Sequence, residues 1–422
     1  MIGLQQLSIQ RRLVEKLEIV VTVFWFIYFL DVNIPPPLPA GIINALSYPF
    51  VALLVALHWK EVAYIATRNL TLLLFLAVAM FSLFWSADMS STFDINRGLL
   101  RTFLFGAYFT ARYSLKEQMK ILAWVLGIAA LLSLLACLGV PSYGIKEDGW
   151  QGIFPYKNYM GRAMVLGGVL LLILALDNAR NWLCWFGLVL TLFLAIVSQS
   201  STSVLLLLLL FAQMPLYLLI KQQYRVRVIL LSLVCILLSG VVMVIVAQQE
   251  TILVNILGEG TNFNGRTPIW TIVIDTVSQH RPWLGYGYGG FWTSDAGAYV
   301  IANTWASDQG IVESFNAHNV YIEIFADLGL VGLILYGIVL LNVAIKGMIL
   351  LLASKKVEYF WLYQFFMFMT LASLADVGLG IGATNAYGIL SIALCLSVSL
   401  EYQRLQKKQS LQRVPQITTQ RF

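Results

Sequence analysis

The feature that most restricts this chain is the recurrence of apolar runs long enough to cross a bilayer, each crossing needing roughly 20 apolar residues. Twelve such runs can be marked: 17–32, 40–58, 70–86, 97–112, 119–140, 159–177, 181–198, 202–220, 226–247, 319–346, 359–376 and 383–400. Of the 422 residues, 59% are hydrophobic and only 11% charged, against about 45–50% and about 25% in soluble proteins. Mean hydropathy is +0.79. A soluble fold is excluded, and the class expected is an all-α polytopic membrane protein. Its predicted divisions are 1–247 with nine spans, a large structured loop at 248–318, 319–400 with three further spans, and a basic tail at 401–422.

A net charge of +6 would point to nucleic acid in a soluble chain, but here Lys and Arg first set topology. With the N-terminus placed in the cytoplasm, inner segments collect 20 of the 27 Lys and Arg. Seven remain outside: Arg97, Arg101, Lys146, Lys157, Arg162, Arg266 and Arg281. The fourth run is the weakest, being short and carrying Arg97 and Arg101, yet deleting it would put the later basic loops on the wrong side. Both termini are therefore expected inside, the 248–318 loop outside, and no nucleic-acid partner. Arg11, Arg12 and Lys16 precede the first run and no small-residue cleavage site closes it, so it reads as a retained span. The Pro-rich stretch 34–39 reads as a rigid outer turn. Cys137, Cys184, Cys235 and Cys395 lie in or beside apolar runs without metal-binding or disulfide spacing.

Within the outer loop, Thr267 is a candidate N-cap with Pro268 as first helical residue. Ile269, Trp270, Val273 and Val277 then share one face, which predicts an amphipathic helix over 268–279, lying on the membrane surface or on the bundle. Pro282 and the glycines at 285, 287, 289 and 290 predict a turn-rich stretch. Gly285-Tyr286-Gly287-Tyr288-Gly289-Gly290 matches GxGxxG literally, but no strand precedes it, so a tight turn or close backbone approach is the better reading.

Outer basic residues are the first candidates for chemistry, because a charge at membrane depth needs a partner. Arg97 and Arg101 share a helix face, Lys157 and Arg162 flank the start of the sixth span, and Arg266 precedes a helix whose free N–H groups favour an anion. Together they fit a dense negative charge such as a diphosphate, which the multi-donor guanidinium suits. The alternative is snorkelling to lipid phosphate or pairing with Asp88, Asp94 or Asp275. His318, at the mouth of the tenth span, could accept a proton from a hydroxyl at near-neutral pH; the competing reading is a surface histidine at a helix start. Glu323 or Asp327 could orient it, and the sequence does not choose between them. His280 and His58 fit a surface role better. With no Asp-x-Asp and no His/carboxylate pairing, no metal site or cofactor is expected.

These residues resemble the superfamily of O-antigen ligases and polymerases, bacterial inner-membrane glycosyltransferases. The resemblance rests on Gly265-Arg266-Thr267 with Trp270, Pro282-Trp283-Leu284-Gly285-Tyr286-Gly287 with Phe291, His318-Asn319 with Tyr321, and Leu328-Gly329-Leu330-Val331-Gly332-Leu333. Lys157-Asn158 with Gly161-Arg162, and the polar run 198–203, add to it; Tyr156 stands where many members carry histidine. The motifs fall within about 150–340, and the span count with the large periplasmic loop between spans 9 and 10 extends the likeness.

The resemblance implies a glycan on undecaprenyl diphosphate at the periplasmic face, transferred to an acceptor hydroxyl of lipid A core (ligase) or of another lipid-linked repeat (polymerase). It implies inversion at the anomeric carbon without a metal. Arg266 and the Arg162/Lys157 pair would hold the diphosphate, with Arg97 and Arg101 as further candidates, and His318 would act as base or orient the acceptor. Gly285, Gly287, Asn319 and Tyr321 would shape the substrate loop. A secondary transporter or lipid-linked-oligosaccharide flippase is the alternative; it would place ionisable residues near mid-bilayer among broken helices or repeats. A structural scaffold would leave the outer arginines unexplained.

Overall fold

The computed structural model describes residues 2–33, 40–220, 266–305 and 315–413, with 222, 226, 229 and 307 singly. The Pro-rich turn, Cys235, residues 248–265 of the outer loop and the ninth apolar run, but for 226 and 229, lie outside these. Helices overlie the other eleven runs. They are α1 (Ile2–Phe29), α2 (Ala40–Leu57), α3 (Trp59–Ala66), α4 (Leu70–Phe81), α5 (Met89–Arg112), α6 (Leu115–Gly139), the one-turn α7 (Pro141–Gly144), α8 (Lys157–Asp177), α9 (Trp182–Val197), α10 (Ser201–Ala212) and α11 (Pro215–Ile220). After the loop come α12 (Arg266–His280), α13 (Asp295–Ala302), α14 (Val320–Ala353), α15 (Val357–Ala372) and α16 (Ala386–Arg413). Strands β1 (Ile145–Lys146) and β2 (Gly149–Trp150) form a small hairpin ahead of α8.

The described part is an all-α membrane protein. Five helical segments are each long and apolar enough to cross a bilayer: Leu115–Gly139, Lys157–Asp177, Ser201–Leu218, Val320–Ala353 and Ala386–Leu411. α2 and α3, bent by 94° at His58, make a sixth if they form one span. α8 beyond Arg162 and the apolar part of α16 are apolar on every face and accordingly sit at the centre, with Ala163, Val165 and Leu170 fully enclosed on one and Ile389, Ile392 and Leu396 on the other.

α5 corrects the sequence reading of the fourth run. It begins eight residues before position 97, capped by Asp88, whose carboxylate accepts from Ser91 N–H at 3.1 Å. The sequence reading starts this run at 97, as its weakest span, and leaves Thr92 and Asn96 outside it. Both are instead buried in protein, where Thr92 bonds Ser86 Oγ at 2.7 Å and Asn96 donates to Met80 O.

The described residues of the 248–318 segment form a lobe around a second apolar core, which also takes in Phe325 and Ala326 of α14. α12 buries Ile269, Val273 and Val277 against Tyr286, Phe291, Val300, Phe315 and Phe325. The predicted helix is therefore present and docked on protein. It starts by Arg266, so Thr267 and Pro268 stand inside its first turn rather than at cap and N1. α13, with Ser294 as its cap, and the β1–β2 hairpin had no sequence expectation.

Candidate functional site

At the end of the bundle where α8 begins lies a cleft of about 830 Å³. Six stretches build it: the β1–β2 turn, the start of α8, the turn into α10, the first described residue of α12, and the approaches to α14 and to α16. Lys157, Arg162, Arg266, His318 and Asp376 all line it, with Asn158, Ser200, Thr202 and Asn316 as neutral polar groups.

Arg162 projects from the second turn of α8. Gly161 lets that turn approach the serine-rich segment closely; a Cβ there would collide with the Ser203 side chain and sit 2.9 Å from Ser198 Oγ. The guanidinium, 3% exposed, forms an ion pair with Asp376 at 2.5 Å, donates through Nε to Asn158 O at 3.1 Å, and lies 4.6 Å from the Tyr159 ring centroid. Lys157 is tied to the hairpin, reaching Asp148 O at 2.7 Å and its carboxylate at 3.4 Å. Arg266 donates to Ala375 O at 3.2 Å, beside Asp376.

His318 is held by its backbone. Trp270, one turn after Arg266 on α12, donates its indole N–H to Ala317 O at 2.7 Å. Glu323 accepts from Ala317 N–H at 3.1 Å and from the Trp292 indole at 2.7 Å. The residue before His318 is thus gripped at both its polar groups. His318 itself has φ +49°, a conformation rare outside glycine, with its N–H donating to Asn316 Oδ1 at 2.9 Å. Such backbone persists only where the surroundings over-determine it. Burial, then the charges of Arg266 and Arg162, push the imidazole below its ordinary pKa, with Asp376 opposing. Both effects favour the neutral imidazole, which carries one acceptor nitrogen.

The structure answers the question of which carboxylate attends His318. Neither touches the ring: Glu323 holds the preceding peptide, while Asp327 accepts from Gly289 N–H at 2.8 Å, inside the loop lobe. Trp270 and Asp376 were missed as site-builders from sequence, because indole-to-carbonyl and cross-chain ion-pair contacts have no local signature.

Arg97 and Arg101 do not reach the cleft. Arg97 is half-exposed and pairs with Asp94 at 3.0 Å. Arg101 is buried as a strut, donating to Asn44 Oδ1 at 2.5 Å, Ser47 Oγ at 2.7 Å and Thr384 O at 3.3 Å, between the rings of Phe29 and Tyr48. Gly285 and Gly287 pack against α14 and the α4–α5 connection. Asn319 caps α14, accepting from Tyr321 N–H at 2.9 Å, and Tyr321 donates its hydroxyl to Thr370 O. His280 bonds Thr276 O, and His58 pairs with Glu18 at 2.9 Å. Among the described residues no three His, Cys, Asp or Glu side chains converge as a metal would require, and Cys137, Cys184 and Cys395 are free thiols.

A helical membrane bundle with a cationic, histidine-bearing cleft at one end is the class of protein that the fold and site define. Residues 186–337 match the family model described as O-antigen ligase, which bears out the resemblance to the O-antigen ligase and polymerase superfamily. No curated protein matches the chain.

Proposed function

We propose that the protein is a glycosyltransferase of O-antigen or related polysaccharide assembly. It moves a glycan from undecaprenyl diphosphate to an acceptor hydroxyl at the periplasmic face of the inner membrane. The observation that carries this reading is the meeting of Arg162, Arg266, Lys157 and His318 in one cleft.

The chemistry is a displacement. The acceptor oxygen forms a bond to the anomeric carbon as the bond to the diphosphate oxygen breaks, inverting that centre. The hydroxyl proton passes to the neutral imidazole of His318, worth about 100-fold to 10,000-fold for a positioned base. The departing electron pair stays on the diphosphate, whose growing charge is met by guanidiniums already fixed in place by Asp376, Asn158 and Ala375. Asp376 also offsets the charge that His318 gains. The twelve-span topology expected from the sequence, with both termini cytoplasmic, supports a periplasmic cleft.

Two features bear on the transporter alternative. α14 is broken at Gly329 and carries the buried Asp327 and the partly buried Glu323, but both acids bond into the loop lobe and the break is filled by loop backbone.

Purified protein given undecaprenyl-diphosphate glycan, with either lipid A core or excess donor as acceptor, tests the reading. Expected is a glycosylated product and free undecaprenyl diphosphate, the acceptor that reacts deciding between ligase and polymerase. Unchanged donor with both acceptors would overturn it.

A further inference from the structure

A second concavity opens at the opposite end of the bundle from the cleft. α8 runs from Lys157 and Arg162 at the cleft to Asp177 at its far end, and α9 returns from Trp182 towards the serine-rich turn. The start of α6 lies beside that far end, where Lys116 stands 3.8 Å from Asp177. Between the three helices runs a groove of about 540 Å³, apolar along Gly127, Leu131, Leu171, Leu174 and Leu190.

Its mouth is cationic. Lys116 and Lys120 are one helical turn apart on α6, and Lys120 makes no ion pair among the described residues. Trp124, 56% exposed, follows one turn further in, where an indole suits the boundary between headgroups and acyl chains. Gly127 leaves the groove unfilled: a Cβ there would meet nothing within 4 Å.

We propose that this groove binds an anionic diacyl phospholipid of the leaflet opposite the cleft, its phosphate on Lys116 and Lys120 and an acyl chain laid over Gly127. A basic pocket between spanning helices is a known mode of headgroup recognition, and lysine stems extend along apolar surface while their ammonium groups reach the headgroup level. Asp177 offsets part of the charge, so Lys120 supplies most of the selectivity. The lipid-linked donor is a poor occupant, because its diphosphate would sit at the wrong end of α8. A second copy of the chain would have to bury both lysines against lipid-exposed helix.

The test needs no enzymatic activity. The purified full chain in detergent is titrated with dioleoyl phosphatidylglycerol or dioleoyl phosphatidylcholine and read by native mass spectrometry. Expected is one tightly retained phosphatidylglycerol, preferred by roughly fivefold per effective lysine. The double variant Lys116→Ala/Lys120→Ala should lose the preference. Gly127→Phe should lose the retained lipid while its melting temperature stays at the wild-type value, since the new ring enters empty space. Equal retention of the two lipids by wild type, an unchanged preference in the double variant, or full retention by Gly127→Phe would each overturn the proposal. A lipid-free dimer that Gly127→Phe splits would overturn it too, assigning the groove to a second copy.

Discussion

Gly285 and Gly329 interlock: each is the point where the backbone of one segment rests on the backbone of the other. A Cβ on Gly285 would strike the Asp327–Leu328 peptide, and a Cβ on Gly329 would strike the Trp283–Leu284 peptide. Both have positive φ, +63° and +61°. The break that Gly329 makes in α14 frees polar backbone groups, and the loop satisfies them. Leu330 N–H donates to Pro282 O at 2.8 Å and Val331 N–H to Trp283 O at 3.1 Å, while Gly287 N–H donates to Asp327 O at 2.8 Å. The GxGxxG-like stretch is thus a splice between lobe and bundle, and through α14 it sets where His318 stands.

Gly285→Ala and Gly329→Ala should each destabilise by more than about 2 kcal/mol, since both add a clash to an unfavourable backbone conformation. Thermal unfolding in detergent measures this. Gly337→Ala, on the same helix with open space around it, is the control and should hold or raise stability.

Arg266→Ala and His318→Ala should each abolish glycan transfer while membrane insertion stays intact. Removing one anion-holding donor costs on the order of 100-fold or more in rate, and losing a base about 100-fold to 10,000-fold. Near-normal product formation by either variant in the reconstituted assay removes that residue from the reaction. Arg97→Ala, outside the cleft, should leave the rate within a factor of about 2.

Asp376→Asn should lower the melting temperature sharply, because Arg162 then keeps a buried charge without its counter-ion, a loss on the order of 3 kcal/mol. Arg162→Met combined with Asp376→Asn should be less destabilised than Asp376→Asn alone. A double variant no more stable than that single one would show that the pair is not the dominant contact.

The acid limb of the pH–rate profile should report His318. Its pKa is lowered in the folded protein, so the neutral form serves throughout the neutral range and activity falls only as pH drops through that lowered value. Arg266→Lys keeps the repelling charge and should leave the limb in place, whereas Asp376→Asn removes the attraction that favours imidazolium and should move it to lower pH. Stability follows the same linkage: below the unfolded value near 6.5 the unfolded chain binds the proton more readily, so folding weakens as pH falls towards the folded pKa.

Trp270→Phe keeps the apolar bulk and deletes the hydrogen bond to Ala317 O. It should reduce kcat about fivefold to tenfold, the worth of roughly one hydrogen bond, with KM little changed. Glu323→Gln retains one acceptor oxygen and should be milder than Glu323→Ala. An unaltered kcat in Trp270→Phe would mean that His318 is positioned without this grip.

Apolar run length and charge asymmetry were enough to read a helical membrane protein, because burying backbone in lipid leaves a helix few alternatives. The candidate cations and His318 were also legible, since a charge or imidazole at a span mouth stands out against an apolar chain. What the linear order could not carry was partnership. Arg101 and Arg162 both look like lone outer arginines, yet one is a strut among Asn44, Ser47 and Thr384 while the other faces Asp376 in the cleft. Trp270, Glu323 and Asp376 gain their roles only when α12, α14 and the approach to α16 come together. Apolar patterning is a property of consecutive residues and survives in the sequence. Which polar atoms meet depends on how the helices pack, and only the tertiary structure decides that.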